Sequence, residues 1–94
     1  MSFFRTLKYF FYRSSANEIT LNELNEMMAK NQKMVLIDVR SPQEYKEGHL
    51  PNAISIPLYD FNRQVSKIIP NKETLIVVYC QSGSRSKKAI RILN

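Results

Sequence analysis

The chain has few of the residues that build a metal centre or a disulfide framework. Its 94 residues include one cysteine and one histidine. A single cysteine excludes an internal disulfide, and with one histidine there is no cluster of zinc ligands. A lone thiol is typical of a reducing compartment, or of a cysteine kept for its reactivity. We therefore expect no metal, no cofactor and a cytoplasmic location.

Glycine and acidic residues are also scarce. Two glycines and four prolines argue against a low-complexity or linker protein, and no internal repeat is present. The 44% of hydrophobic and 23% of charged residues are ordinary for one small globular domain with a thin core. Lys and Arg number 14 against 8 Asp and Glu, giving a net charge of +6. This surplus favours anionic partners.

The first fifteen residues, "MSFFRTLKYFFYRSS", differ from the rest of the chain. Their apolar side chains recur at the spacing of an amphipathic helix: Phe3, Phe4, Leu7, Phe10 and Phe11. The segment is too short for a transmembrane span, and Arg5 and Lys8 interrupt the apolar run of a signal peptide. Two hypotheses stay open: docking on its own domain or on a partner, and peripheral membrane contact through residues 1–13.

Beyond this N-terminal extension, which we assign to residues 1–17, helical and strand patterns alternate over a domain of residues 18–94. Helices are predicted over residues 21–31, 42–48, 58–69 and from 86 onward, and strands over 34–39, 53–57 and 74–79. Capping boxes open the first two helices, with Thr20 and Ser41 as N-caps. The alternation predicts an α/β fold with a small, mostly parallel sheet flanked by helices.

Cys80 follows the last predicted strand, and a helix is predicted shortly after it. Ligands of open α/β sheets bind beyond the carboxyl ends of the strands, where a helix N-terminus offers unpaired N–H groups and a positive dipole end. Arg85 adds a fork of donors. The intervening residues are small or flexible enough to form an anion-binding nest: Gln81, Ser82, Gly83 and Ser84. Such surroundings favour the thiolate, which is the attacking form.

Loop length bears on which anion this nest would hold. The segment from Cys80 to Arg85 is one residue shorter than the Cys-x5-Arg loop that surrounds a tetrahedral phosphate, so it suits an extra sulfur better than a phosphoryl group. A phosphatase is therefore the weakest hypothesis. A buried and inert core thiol is the structural alternative, because free cysteines are among the most buried residue types.

Other polar residues accompany the two strong strands. Asp38 and Arg40 end the first of them, so we expect both near Cys80 at one sheet edge, as a buried ion pair or a brace for the loop. Lys87 and Lys88 would steer anions toward the loop. His49 lies in a glycine–proline turn and is interpreted as a structural residue, without a catalytic role.

Two stretches together resemble a rhodanese-homology domain. The first, "LIDVRSPQEYKEGHLPNAISIP" (residues 36–57), is similar to the family's Asp-Val-Arg, Glu-Tyr, Gly-His-Ile-Pro and Ile-Pro signature. The second, "VVYCQSGSRSKKAIRIL" (residues 77–93), resembles its active-site Cys-x-x-Gly-x-Arg-Ser loop. The resemblance covers about residues 18–94, in the family's order and spacing.

The resemblance implies a single-domain, thiosulfate sulfurtransferase-like enzyme that works through a persulfide. Cys80 would attack the outer sulfur of thiosulfate or another sulfane donor, while N–H groups from Gln81 to Ser86 stabilise the sulfur anion and Arg85 holds the loop and the donor. The acceptor would be thiophilic: cyanide, a small thiol or a protein cysteine. No nucleic-acid partner is expected. The alternative is a non-catalytic or partner-fed sulfur-relay module tethered by its N-terminal segment.

Two departures from the family pattern stand out. Gln81 occupies a place where single-domain members often have arginine. Family members also continue past the active-site helix with a strand, a glycine-rich turn and a final helix, whereas this sequence stops at Asn94. We therefore expect a domain truncated at its C-terminus. A sheet that lacks this strand would expose an edge, so either the sequence is a fragment of a longer chain or something else covers that edge.

Overall fold

The computed structural model describes residues 7–11, 17–30, 34–69 and 74–93. They form five strands and four helices. The strands are β1 (Lys8–Phe11), β2 (Asn17–Ile19), β3 (Val35–Asp38), β4 (Ile54–Ser55) and β5 (Ile76–Cys80), and the helices are α1 (Leu21–Lys30), α2 (Pro42–Glu47), α3 (Leu58–Ile68) and α4 (Ser84–Leu93). The α/β fold class is confirmed. None of the helices in these ranges combines the length and the apolar character needed to cross a membrane.

The strands form one sheet in the order β2-β1-β5-β3-β4. β3 lies between β4 and β5 and is parallel to both, whereas β1 is antiparallel to both of its neighbours, β2 and β5. The continuous apolar runs of β3 and β5 place them at the centre, since a strand covered on both faces needs apolar residues on both. The sequence predicts this parallel half of the sheet, but not the antiparallel pair.

The helix predicted near the N-terminus is wrong for Lys8–Phe11, which form β1 instead. Tyr9 lies opposite Tyr79 of β5, and Leu7 and Tyr9 are 4% and 3% exposed. An aromatic run fits a pleated surface well, and a short helical pattern has little stability of its own, so pairing with β5 decides the outcome. Residues 1–6 and 12–16 lie outside the described residues, and the domain boundary at residue 17 stays a prediction.

β1 covers one side of the strand β5. It pairs along β5 from Lys8 opposite Cys80 to Phe11 opposite Val77. The side of β5 that faces away from β3 is therefore covered by β1. Truncation at the C-terminus stays a prediction.

The sheet separates two cores. One contains Cys80 and packs against α3 and α4; its buried members are Ile37, Val39, Ile56, Phe61, Val65, Ile76, Val78, Cys80, Ala89 and Ile90. The other packs against α1 and α2; its buried members are Leu7, Tyr9, Leu24, Leu36, Leu50, Ala53, Val77 and Tyr79. Burying a side chain such as Phe61 or Leu24 contributes about 2 kcal/mol, so both layers hold the site in place.

Both predicted capping boxes are present. Thr20 and Glu23 exchange side-chain and backbone hydrogen bonds of 3.1 and 2.9 Å at the start of α1. Ser41 and Glu44 do the same at α2, where Pro42 is the first helical residue. These reciprocal bonds satisfy N–H groups that a helix cannot pair internally, so each helix begins at a defined residue.

Candidate active site

Cys80 is the last residue of β5, and its side chain lies in the core between the sheet and the α3–α4 layer. The residue has 0% exposed surface. Two backbone N–H groups donate to its sulfur: Gly83 at 3.0 Å and Ser86 at 3.3 Å. Donors aimed at one sulfur stabilise negative charge there, as an anion-binding nest does.

The sulfur also serves as a cap for α4. Lys87 N–H donates to the Gly83 carbonyl at 3.0 Å, so Gly83 is the residue that precedes the helix and Ser86 belongs to its first turn. N–H groups in a first turn have no partner within the helix, and Cys80 supplies one. This explains why α4 begins at Ser84, two residues before the predicted start. It also places the sulfur at the positive end of the helix dipole.

Gly83 is needed where the loop reverses. Its φ of 91° lies in the left-handed region, which costs other residues about 1–2 kcal/mol because of Cβ contacts. In this conformation the Gly83 N–H donates to Cys80 Sγ while the Gly83 carbonyl accepts from Lys87 N–H at the start of α4. The one glycine of the predicted nest is therefore at the position that requires it.

The Ser86 hydroxyl is the third group at the sulfur. Its Oγ lies 3.2 Å from Cys80 Sγ and donates to the Gly83 carbonyl at 3.1 Å. A hydroxyl has one proton, so while Ser86 donates to Gly83 it can only accept a hydrogen bond at Cys80. To donate to a thiolate or persulfide, the hydroxyl must rotate away from Gly83.

The remaining loop residues form the outer rim of the site. Gln81, Ser82 and Ser84 are exposed, and the Ser82 and Ser84 hydroxyls lie 3.2 Å apart. The Cys80 side chain, by contrast, is buried.

Arg85 makes a two-point ion pair with Glu44 of α2. The Nη1–Oε1 and Nη2–Oε2 distances are 2.6 and 3.1 Å. Hydrogen bonding to Arg85 is the largest cause that lowers the pKa of Glu44 to about 2, against the raising effect of its burial. The pKa of Arg85 is raised, chiefly by the same bond and to a smaller extent by Cys80. Arg85, in the first turn of α4, thereby ties the end of the loop to α2.

Asp38 and Arg40 lie on the other face of the sheet from Cys80. Arg40 Nε and Nη2 contact the Asp38 carboxylate at 2.8 to 3.1 Å, and both residues are buried. Arg40 also donates to the carbonyl of Gly48 at 2.6 Å and lies over the ring of Tyr79. Through the Gly48 carbonyl, this pair braces the end of α2.

Three contacts of this region are not predicted by the sequence. Glu44 is recognisable as a capping residue, but its pairing with Arg85 joins two motifs far apart in the chain. The Tyr79 hydroxyl accepts from Leu50 N–H at 3.1 Å inside the core. The His49 ring stacks on Tyr45 with centroids 3.6 Å apart, and its Nδ1 contacts the Tyr45 carbonyl. The only hint in the sequence of the Glu44–Arg85 contact is that the two family motifs, residues 36–57 and 77–93, occur together.

Comparison with known proteins agrees with this architecture. The family model of the rhodanese-like domain matches residues 20–94. A sulfurtransferase of Allochromatium vinosum is 32% identical over 77 residues, which are 82% of this chain and 70% of that protein. The thiosulfate sulfurtransferase PspE of Escherichia coli is 38% identical over 58 residues, 62% of this chain and 56% of that protein.

A solved structure gives the same result. The human single-domain sulfurtransferase TSTD1 superimposes with a TM-score of 0.64 and 25% identity, over 80% of this chain and 76% of that one. The two chains therefore share an α/β fold. The chain belongs to the rhodanese-like domain family, as the resemblance of its two motifs indicates.

Proposed function

We propose that this chain is a sulfurtransferase that carries a sulfane sulfur on Cys80. The observation that carries the proposal is the arrangement at the end of β5, where Gly83 and Ser86 N–H groups donate to Cys80 Sγ. The sulfurtransferases among its relatives support the same class of reaction.

The first step is attack of the Cys80 thiolate on the outer sulfur of thiosulfate. A new S–S bond forms to Cys80, the S–S bond of thiosulfate breaks, and sulfite leaves with the electron pair. The charge is conserved, because a thiolate and a dianion become a persulfide anion and a dianion. The two N–H groups then face the persulfide and stabilise it, as fixed dipoles stabilise an oxyanion.

The second step returns the sulfur to a thiophilic acceptor. A thiolate attacks the outer sulfur of the persulfide, the bond to Cys80 breaks, and the Cys80 thiolate is regenerated. No external oxidant or reductant takes part. Ser86 assists both steps when its hydroxyl turns from Gly83 toward the sulfur, since a hydroxyl can donate to whichever anion is present.

The donor must pass the loop to reach the sulfur. Cys80 has no exposed surface, whereas Gln81 and Ser82 directly above it are exposed. Loop residues 81–83 therefore move to admit the donor, and Gly83 gives the backbone the freedom for this motion. Arg85 stays attached to Glu44 and keeps the start of α4 in position meanwhile.

The partner-fed relay is a second form of the same chemistry, in which a protein partner rather than thiosulfate supplies the sulfur.

A membrane tether through residues 1–13 gains no support from the described part of that segment. Leu7 and Tyr9 are 4% and 3% exposed, and a residue packed in the core cannot lie in a membrane interface at the same time.

The test is the intact mass of the protein after treatment with thiosulfate. The wild type should gain the mass of one sulfur atom, which cyanide then removes as thiocyanate. Cys80→Ser should gain nothing, because a hydroxyl does not form the S–S bond. An unmodified wild type in both thiosulfate and polysulfide would overturn the proposal, as would thiocyanate production by the serine variant.

A further inference from the structure

Positive charge is concentrated on the side of the sheet that carries the nucleophile. α3 and α4 pack on the Cys80 face and contain a single carboxylate, Asp60. The same two helices carry six cations: Arg63, Lys67, Arg85, Lys87, Lys88 and Arg91. Across the sheet, α1 and α2 carry four glutamates and two lysines. The positive charge of the four helices is therefore concentrated on the side of the sheet where Cys80 lies.

Arg63 and Arg85 have carboxylate partners among the described residues, which leaves the outer face of α4 as the most cationic part of this layer. Arg63 binds Asp60 at 2.6 Å, and Arg85 binds Glu44. The α4 outer face consists of four exposed residues on neighbouring turns of the helix: Ser84, Lys87, Lys88 and Arg91. Within the described ranges, no salt bridge joins Lys88 or Arg91 to a carboxylate. We call these four residues the basic α4 face.

The basic α4 face fits an extended anion better than a small one. Lys87 to Arg91 span about 6 Å of helix axis, and the row runs away from the sulfur. At the sulfur itself, the Gly83 and Ser86 N–H groups are occupied by Cys80. A small dianion in the loop would leave most of this charge unused, whereas a broad acidic surface would contact all of it.

The reaction selects among the extended anions. A partner at this face must bring a sulfur atom to Cys80, and a protein cysteine supplies one, whereas lipid headgroups and unmodified nucleic acid do not. An aromatic anchor is available at the same edge. Tyr59, in the first turn of α3, is 80% exposed, and α3 and α4 both begin at the carboxyl ends of parallel strands. Tyrosine is enriched among the residues that dominate protein interfaces.

We propose that the basic α4 face docks an acidic protein whose cysteine takes the sulfane sulfur from Cys80. The inference rests on the proposed function. The acceptor thiolate attacks the outer sulfur, the S–S bond to Cys80 breaks, and the acceptor leaves as its persulfide. Charge complementarity brings the acceptor to the edge where Cys80 lies and raises the rate of encounter.

The probes are two short peptides with one central cysteine, flanked by glutamates in one and by glutamines in the other. The variant is Lys88→Glu with Arg91→Glu. The matched control is Lys30→Glu with Lys46→Glu, which changes the net charge equally on the α1–α2 side. Sulfur transfer is measured from protein already loaded as the persulfide. Binding is measured separately by fluorescence anisotropy, with serine replacing cysteine in each peptide.

Wild type and control should transfer sulfur to the acidic peptide about tenfold faster than to the neutral one at low salt, and the Lys88 and Arg91 variant should lose this preference. Salt of about 0.3 M should remove it in all three proteins. Equal rates for both peptides with wild type would overturn the inference, and so would equal losses in variant and control. A loss confined to binding of single-stranded RNA or phosphatidylserine vesicles would assign the face to those anions instead.

The two proposals fail separately. If no persulfide forms on Cys80, the proposed function and the transfer role fall together, whatever the peptides do. If the persulfide forms and its sulfur is transferred to both peptides at equal rates, the proposed sulfurtransferase function is retained and the proposed docking role of the basic α4 face is refuted. The anisotropy measurement decides whether acidic peptide binds at Lys88 and Arg91 without any sulfur chemistry.

Discussion

Glu44 and Arg85, 41 positions apart, form a two-point ion pair that joins the start of α2 to the first turn of α4. The same Glu44 carboxylate accepts the backbone N–H of Ser41 at 3.0 Å, so one side chain caps a helix and holds the arginine of the loop. The pair thus links the two motifs by which the family resemblance is identified.

Breaking this pair should loosen the loop without removing the Cys80 thiol. Glu44→Gln and Arg85→Gln should each lower the free energy of unfolding by about 1 kcal/mol, since the pair is partly exposed. Each should also slow persulfide formation from thiosulfate. In the double variant the loss of stability should be smaller than the sum of the two, because both changes remove the same contact. Strictly additive losses, measured by urea unfolding, would contradict the pairing.

The stability contributed by Glu44 should depend on pH. Its pKa of about 2 in the folded protein lies below the ordinary value of 4.5, so the ionised carboxylate stabilises the fold above about pH 4.5. This contribution is lost as the pH falls toward 2. The difference in unfolding free energy between wild type and Glu44→Gln should therefore shrink over that interval. A difference that stays constant from pH 6 to pH 2 would show that Arg85 does not hold the carboxylate.

The chain's two glycines provide a matched test of the loop conformation. Gly83→Ala should cost about 1–2 kcal/mol and impair persulfide formation, because φ is 91° at this position. Gly48 has a φ of 165°, which is extended backbone open to any residue. Gly48→Ala should therefore lose less stability and keep its rate of loading by thiosulfate. Equal losses in both variants would mean that Gly83 is not the strained position.

The buried pair behind the sheet should matter more to stability than an exposed one. Asp38→Asn leaves the Arg40 guanidinium, at 4% exposure, without its carboxylate, and should cost about 3–5 kcal/mol. Asp60→Asn removes the partner of Arg63, whose side chain is 66% exposed, and should cost much less. Unfolding in guanidinium chloride measures the free energy lost in each variant. A small loss for Asp38→Asn would show that Arg40 finds other acceptors.

The stability that β1 contributes should depend on its backbone hydrogen bonds and not on its aromatic side chains alone. Phe10 pairs with Val78 of β5 and with Glu18 of β2, so Phe10→Pro removes an N–H from a strand that has neighbours on both sides. We expect a lower midpoint of urea unfolding and increased light scattering, since the β5 edge becomes available to other chains. Phe10→Ala controls for the lost side chain. Equal midpoints for the two variants would contradict the strand.

The parts of the fold that the sequence predicts are those set by local rules. The box of Ser41 and Glu44, the apolar runs of β3 and β5 and the cysteine at a strand end are all visible in short windows. β1 is not predictable in this way, because its partner lies about seventy residues later and its spacing also fits a helix. The Glu44–Arg85 contact and the opposite orientation of Asp38 and Cys80 likewise depend on how distant elements pack.

The pairing of β1 with β5 has a consequence for the order in which the protein is assembled. During synthesis β1 leaves the ribosome before β5, because Cys80, its partner at one end of the pair, lies about seventy residues later in the chain. Contacts between distant segments form slowly, because a long loop must close first. Until then the aromatic strand has no partner in β5 and is open to association with other chains. Completion of β5, the strand that ends at Cys80, is thus also the event that ends this exposure.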